Sequence, residues 1–193
     1  RLDEHGVILF STPNNSVAGR DVSAQEHVKR LLATRQPVAS DVFTSVQGFH
    51  TIALHVPVFK NGTFRGSLGI LMDFDAISRR YLEDVRVAET GYAFVYSQKG
   101  VLLYSPVPGL AGKRYEEVTE GYPELRAAVE AMLRGETGNA QFEFNRVRSW
   151  IGKAVVKHAS YLPIHLEDTF WSVCVATPES EILWKSHSDP DFL

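Results

Sequence analysis

The chain has 193 residues, a hydrophobic content of 44% and a formal net charge of -3 at pH 7. This length and composition suffice for two modest cores and exclude a disordered chain. Lys and Arg are scattered, so the sequence lacks the basic stripe that nucleic-acid binding requires. The single cysteine, Cys174, excludes an internal disulfide and a cysteine-rich metal site. No run of 18 or more apolar residues is present, so no membrane-spanning segment is predicted within the chain.

Two stretches of the sequence occur twice. The segment from Gly6 to Pro13, GVILFSTP, returns from Gly100 to Pro106 as GVLLYSP. The stretch 53–58 returns at 159–164, and each is followed by a Thr-Phe pair, at 63 and at 169. The offsets of 94 and 106 residues are too long for a solenoid repeat. The sequence therefore predicts two similar domains in tandem, the second with an insertion of about 12 residues.

The first copy predicts a strand, a helix and three further strands. The strand covers 6–11, and the helix begins near Ser23, which has capping-box spacing to Glu26, and ends near Thr34. Strands follow at 40–46, 51–59 and 64–74. Asn61-Gly62 joins the last two as a tight hairpin, which makes the sheet antiparallel. Asp75 is predicted to cap a helix that continues to residue 86.

The second copy predicts the same order of elements. Strands cover 91–97 and 101–105, and a helix begins at Pro123 and ends before Gly135. Three strands follow, at 139–145, 153–164 and 169–176. The counterpart of the strand at 91–97 would lie upstream of Leu2. We therefore expect the fragment to begin inside its first domain.

This doubled order resembles the double Cache family, which comprises extracytoplasmic sensor regions of bacterial and archaeal histidine kinases, chemoreceptors and diguanylate cyclases. The stretch 89–106 is similar to the start of the membrane-proximal domain, with a Thr-Gly-Tyr strand, a turn ending in Gly and a second strand ending in Pro. The stretches 40–43, 50–58 and 65–71 resemble the membrane-distal domain. The end of the chain, 170–182, resembles the way the proximal domain closes.

The resemblance implies an α+β fold of two tandem PAS-like domains, each a central antiparallel sheet flanked by helices. The distal domain would cover 1–86, incomplete at its N-terminus, and the proximal domain 87–193. It implies binding of a small molecule such as an organic acid or amine in the distal domain. The chain would then be the extracytoplasmic part of a membrane-anchored receptor, foremost a histidine kinase, for which a homodimer is plausible.

The family's amino-acid-binding branch carries a tyrosine, an Arg-x-Trp-Tyr phrase and a later aspartate. Here Phe43 occupies the tyrosine position, Leu71 lies near the aspartate position and no Arg-x-Trp precedes Phe43. Standard amino-acid recognition is therefore not expected from the resemblance.

The hairpin predicts which strand face holds a ligand. A two-residue turn at 61–62 pairs residues whose numbers sum to 123, so His50 should face Asp73. One face then carries Arg65, Ser67 and Leu71 with these two residues, and it mixes polar groups with aliphatic ones, as ligand cavities do. The other face, which includes 66, 68, 70 and 72 with 53, 55 and 57, reads as ordinary core.

Seven residues form the predicted ligand site. They are His50, Asp73, Arg65, Ser67 and Leu71 from the hairpin, and Phe43 and Ser45 from the family position and strand alternation. The alternative for His50 and Asp73 is a structural cross-strand pair at the sheet margin, worth about 0.2 to 1 kcal/mol. Phe43 and Ser45 are equally compatible with core packing and a strand-edge hydroxyl. A bulge in the hairpin would break the register on which the prediction depends.

No motif predicts a catalytic residue, a metal site or a cofactor. The sequence has no Gly-rich phosphate loop, no Gly-x-Ser-x-Gly elbow and no plausible carboxylate pair. His50 and His55 are five apart on one strand and so point to opposite faces, which does not suit a shared metal. Two other functions remain open, a ligand-free spacer or dimerisation module and a cytoplasmic PAS-type module with haem or flavin.

Overall fold

The computed structural model describes residues 1–12, 15–48, 50–147 and 150–182. These residues form two compact units, each built around an antiparallel sheet with helices beside it. Unit 1 comprises the described residues within Arg1–Ile77 and Leu166–Thr169, and unit 2 comprises those within Ser78–His165 and 170–182. The predicted α+β class is confirmed. None of the helices in the described ranges is long and apolar enough to span a bilayer.

Unit 1 contains a helix, four strands and the start of a second helix. The elements are α1 (Glu26–Thr34), β1 (Val38–Ala39), β2 (Phe43–Thr44), β3 (His50–Lys60), β4 (Thr63–Asp73) and α2 (Phe74–Tyr81). β3 is central, with β4 on one side and the short β1 and β2 one after the other on its second side. Asn61 and Gly62 both have positive φ, 51° and 74°, as the predicted hairpin turn requires.

The register of this hairpin differs from the prediction. Lys60 pairs with Thr63 as expected, but beyond Phe59 the pairs sum to 124, so that Thr51, and not His50, faces Asp73. The shift is a bulge in which two residues of β4, Arg65 and Gly66, lie opposite one residue of β3. His50 instead pairs with Thr44 of β2.

The bulge depends on Gly66 and on a contact with the N-terminal segment. Gly66 has φ 91°, which favours glycine, and a Cβ there would lie 2.1 Å from the carbonyl oxygen of Leu2. The backbones of Leu2 and Ser67 exchange two hydrogen bonds, with N···O distances of 3.0 and 3.1 Å. The N-terminal segment therefore fixes the chain at the bulge.

The two faces of the hairpin are consequently exchanged on β3. His55 and Ala53 now share a face with Gly69 and Leu71. The face predicted as ordinary core is solvent-facing on β4, because Leu68 and Ile70 are 59% and 61% exposed. The core of unit 1 is formed elsewhere, by the N-terminal segment and α1, and includes Leu2, Ile8, Val17, Val22 and Val28.

Several local expectations in unit 1 also need correction. The segment 6–11 forms only isolated bridges at Val7 and Ile8 and not a strand. The helix α1 begins at Glu26 and not near Ser23, although it ends at Thr34 as predicted. The cap of α2 is Asp73 and not Asp75, because the Asp73 carboxylate accepts a hydrogen bond from the Ala76 amide at 3.0 Å.

Unit 2 has a five-stranded sheet in the order β6-β5-β9-β8-β7. Its elements are β5 (Tyr92–Ser97), β6 (Leu102–Tyr104), α3 (Tyr115–Val118), α4 (Pro123–Leu133), β7 (Gly138–Val147), β8 (Trp150–Leu166) and β9 (Thr169–Pro178). The predicted helix and the last three strands are confirmed within a few residues. Glu181, which follows β9, connects the end of the unit to the residues before β5. Its carboxylate accepts hydrogen bonds from the amides of Glu89 and Thr90 at 2.9 and 3.0 Å.

The repeat seen in the sequence is also present in the backbone hydrogen bonds. In the first copy, Ile8 donates to Arg20 O and Gly19 donates to Ile8 O. In the second copy, Leu102 donates to Lys113 O and Gly112 donates to Leu102 O. The N···O distances agree within about 0.1 Å between the copies. The same short stretch of sequence thus folds into the same loop twice.

Candidate functional site

Unit 1 contains a cavity of about 760 Å³. Small-molecule sites typically measure about 300 to 1,000 Å³ and are mainly apolar with a few polar groups. The walls come from the N-terminal segment, from α1, from β2 and the residues after it, and from β3 and β4. The apolar part includes Leu2, Ile8, Phe10, Val22, Val28, Phe43, Val46 and Leu71, and the polar part includes Ser45, Gln47, His27 and His55.

The helix α1 places His27 in the cavity wall. Val28 and Leu31 are fully buried, and His27 lies one position and four positions before them, on the inward side of the helix. The His27 side chain is 5% exposed. Its ring centroid lies 4.7 Å from that of Phe43 and 5.6 Å from that of His55. Three aromatic rings from three different elements therefore meet at this wall.

His55 is held in place by two residues of β4. Its Nδ1 lies 3.0 Å from the Oγ of Ser67, whose side chain is fully buried. The ring also lies directly against Gly69, where a Cβ would come within 2.5 Å of the imidazole. Gly69 pairs with His55 across the strands, so both contacts follow from the shifted register. Ser67 and Gly69 together fix the orientation of the His55 ring. Nε2 is then the nitrogen that can bind a ligand.

Burial lowers the pKa of His55 to about 4, because the charged imidazolium loses its hydration inside unit 1. At neutral pH the ring is therefore uncharged, with one nitrogen that donates and one that accepts. When the Ser67 hydroxyl donates to Nδ1, Nε2 carries the proton and becomes the donor. Such a ring can bind a polar group of a ligand and can also take up a proton when a negative charge arrives.

Three of the seven predicted site residues line the cavity. They are Phe43 in β2, the buried Ser45 just after it, and Leu71 in β4. Ser67 is not part of the wall but supports His55 by the hydrogen bond described above. Whether any of these residues binds a ligand stays a prediction.

None of the other three predicted residues is among the described residues that line the cavity. Arg65 is exposed on the bulge, and Asp73 caps α2. His50 lies in β3 opposite Thr44, and its side chain lies outside what the structure describes. The predicted pairing of His50 with Asp73 is wrong, because the bulge at Gly66 moves the register by one residue.

Sequence reasoning missed His27 and His55, although signals for both were present. His27 precedes Leu31 by four residues, which places it on the same helix face as a residue of the predicted apolar stripe. His55 was assigned to the wrong face because no bulge was assumed. A glycine inside a strand, here Gly66, is a usual mark of a bulge and would have indicated the shift. Gln47 also lines the cavity without a signal in the sequence.

Comparisons with known proteins agree with this architecture. Residues 1–73 match the family described as HK/GC/Chemotaxis protein-like, sensor domain. An extracellular ligand binding receptor from Desulfohalobium retbaense aligns over 91% of this chain at 26% identity, with a TM-score of 0.67. No curated protein matches the sequence significantly.

Two further solved structures share the fold. The extracellular domain of a protein described as histidine kinase mmHK1S-Z3 aligns over 92% of this chain at 23% identity, with a TM-score of 0.70. The ligand-binding domain of the Pseudomonas aeruginosa amino acid chemoreceptor PctB, solved with L-Arg, aligns over 89% at 15% identity, with a TM-score of 0.63. The chain spans 29% of the Desulfohalobium structure, 62% of the mmHK1S-Z3 structure and 67% of the PctB structure. Residues 1–73 thus match a sensor-domain family, and the chain shares the fold of these extracellular and ligand-binding domains of receptors.

Proposed function

We propose that the chain is the extracytoplasmic ligand-sensing part of a membrane-bound signalling receptor, foremost a sensor histidine kinase. Its ligand is a small molecule that binds in the cavity of unit 1. Binding favours one of two conformations, and the receptor transmits this population shift across the membrane. The chain itself acts by binding and not by catalysis, and catalytic output belongs to the rest of the receptor.

The observation that carries the proposal is the cavity with its buried imidazoles. A wall that holds His27 and His55 at 5% and 7% exposure beside apolar side chains combines volume with a few oriented polar groups. The structural neighbours support the location, because those named above are extracellular or ligand-binding domains of receptors. In PctB the bound ligand is L-Arg, which shows that this fold accommodates a small molecule.

The domain bounds 1–86 and 87–193 remain part of the proposal. The sequence repeat and the duplicated loop hydrogen bonds support two domains of one kind. The boundary between the two compact units at Ile77 and Ser78 supports a division in the same region of the chain, although Leu166–Thr169 belongs to unit 1.

A thermal-shift screen of organic acids, amines, amino acids and purines tests the proposal. A ligand present at about 100 times its dissociation constant stabilises the folded state by about 2.7 kcal/mol and raises the melting temperature by several degrees. If no compound of a broad screen stabilises the chain, the sensing proposal fails and the spacer function is favoured. A coloured purified protein would instead favour a module with haem or flavin.

A variant that fills the cavity separates specific binding from surface binding. Leu71 lines the cavity and is 39% exposed, so a tryptophan there occupies cavity volume without requiring a rearranged core. Leu162, on β8 of unit 2, is 50% exposed and provides the matched control. We expect Leu71→Trp to weaken the response to a ligand at least tenfold and Leu162→Trp to leave it unchanged. Equal responses in both variants would place the ligand outside the cavity.

A further inference from the structure

The described residues that line the cavity include groups that can carry a positive charge and none that carries a negative one. Among the described residues that line it, the groups able to carry a charge are Arg1, His27 and His55, and none is a carboxylate. An ammonium group that enters such a cavity loses its hydration and finds no countercharge, which is costly. An anionic group finds donors from the imidazoles and from Ser45 and Gln47.

We propose that the ligand is a small organic anion, a carboxylate foremost, whose negative group binds at the buried pair His27 and His55. This inference rests on the proposed sensing function and specifies the ligand class for the same cavity. The two ring centroids are 5.6 Å apart with an angle of 33° between the planes, so both imidazoles border the same small region. Phe43, whose ring lies 4.7 Å from that of His27, gives an apolar or aromatic ligand body a surface to pack on.

The contacts of the His55 ring favour the binding of an anion. Ser67 Oγ is hydrogen-bonded to Nδ1, and the ring lies directly against Gly69 of β4, so the proposal assigns the ligand's negative group to Nε2. A neutral imidazole donates one N–H, whereas an imidazolium donates two and carries a charge. A carboxylate at this position favours the charged form and offsets the effect of burial. Binding is therefore accompanied by uptake of a proton.

The groups on the elements packed around His55 determine how the affinity for an anion depends on pH. The helix α1 presents His27, and the N-terminal segment presents Arg1, both of which are positive when charged. β2 and the residue just after it present Phe43 and Ser45, and β4 presents Ser67 and Gly69, none of which titrates in this range. Burial lowers the pKa of His55 to about 4. Above that pH, the affinity for an anion should fall as the pH rises, by up to about tenfold per pH unit while one proton is taken up.

The experiment compares compounds that share a carbon skeleton and differ in charge. Propionate, succinate, glutarate and benzoate are each measured with the intact 193-residue chain. Each is set against its amide, its amine and, for succinate and glutarate, the amino acids aspartate and glutamate. We expect thermal stabilisation by one or more carboxylates and none by the amines. Removal of the α-amino group should leave affinity equal or higher, because none of the described lining residues offers that group a carboxylate.

Calorimetry of the best carboxylate then tests the histidine assignment. Titrations near pH 6, 7 and 8 in buffers of different ionisation enthalpy measure the number of protons taken up. We expect up to one proton per ligand, and the variant His55→Gln to lose at least tenfold in affinity together with the pH dependence. His158→Gln is the matched control, because His158 is half exposed in unit 2 and contacts Glu179. His27→Gln is a second, independent variant if His55→Gln does not fold.

Each result has a defined consequence. Stabilisation by amines and not by acids would overturn the ligand class while leaving the sensing function intact. A carboxylate that binds wild type and His55→Gln equally would overturn the placement of its negative group. If no compound stabilises the chain, including those of the broader screen above, the result would count against the sensing function itself.

Discussion

The imidazole of His55 rests on the backbone of Gly69, so closely that a Cβ at position 69 would lie 2.5 Å from the ring carbon Cε1. Gly69→Ala should therefore push the ring away from Ser67 and break the hydrogen bond at Nδ1. We expect a loss of about 1 to 3 kcal/mol in the free energy of unfolding, as for other overpacked sites. Urea denaturation measures this loss, and imidazole NMR signals report the change in the ring's surroundings.

A double variant tests whether His55 is the cause. In Gly69→Ala combined with His55→Ala, the methyl group at position 69 has room, so the two substitutions should cost less together than the sum of their separate costs. Strict additivity would mean that the alanine at position 69 acts through something other than the imidazole.

Local chemistry in the sequence predicted those parts of the fold that nearby residues determine. The dipeptide Asn61-Gly62 was sufficient to predict the hairpin turn, because few other residue pairs accept positive φ at both positions. The helix α4 was predicted from Pro123 at its start and Gly135 after its end. These features need no information from distant parts of the chain.

The register and the histidine pair depend on contacts between distant segments. The bulge at Gly66 is held by the backbone of Leu2, more than sixty positions away. Because a shift of one residue exchanges the two faces of a strand, this contact determines that His55 lines the cavity. Phe43 and Ser45 line the cavity, and their prediction as ligand-binding residues, which did not depend on the hairpin register, stays a prediction.

A second prediction concerns that bulge. Gly66→Ala forces a side chain into positive φ and places its Cβ 2.1 Å from Leu2 O, so both the strain and the clash oppose folding. We expect a loss of more than about 2 kcal/mol in the free energy of unfolding, measured by urea denaturation. Gly62→Ala is the control, because Gly62 also has positive φ but has open space around it. It should cost only about 1 kcal/mol. Equal costs would mean that the Leu2 contact does not hold the bulge.

A third prediction follows from the lowered pKa of His55. Burial lowers this pKa from the ordinary 6.5 to about 4, so between these values the unfolded chain binds a proton that the folded chain does not. The associated stability is present above pH 6.5 and is lost as the pH falls towards 4. Between neutral pH and about pH 5 the ligand-free chain should lose about 2 kcal/mol from this residue.

His55→Gln isolates that effect, because glutamine does not titrate and retains a hydrogen-bonding group for Ser67. Denaturation curves of both proteins at neutral and mildly acidic pH give the comparison. The variant should lose about 2 kcal/mol less than wild type over this range. Parallel pH dependence in the two proteins would show that His55 ionises as freely when folded as when unfolded.

The fourth prediction concerns Lys157, which is buried in unit 2 at 1% exposure. Its Nζ donates to the Tyr92 hydroxyl at 3.1 Å and lies 4.5 Å from the centre of the same ring. Burial lowers the pKa of this amine from 10.5 to about 8. The folded chain therefore releases the proton before the unfolded chain does, so stability should rise with pH between these two values. We expect a gain of about 2 kcal/mol between pH 7.5 and 9.5.

Two substitutions on β8 distinguish this residue from the general effect of alkaline pH. Lys157→Met keeps the length of the side chain and removes the charge, so the gain in stability between pH 7.5 and 9.5 should disappear. Lys153→Met changes an exposed lysine of the same strand and should retain the wild-type dependence. Denaturant unfolding of the three proteins at both pH values gives the measurement. A Lys157→Met protein that still gains about 2 kcal/mol would assign the alkaline stabilisation to another group.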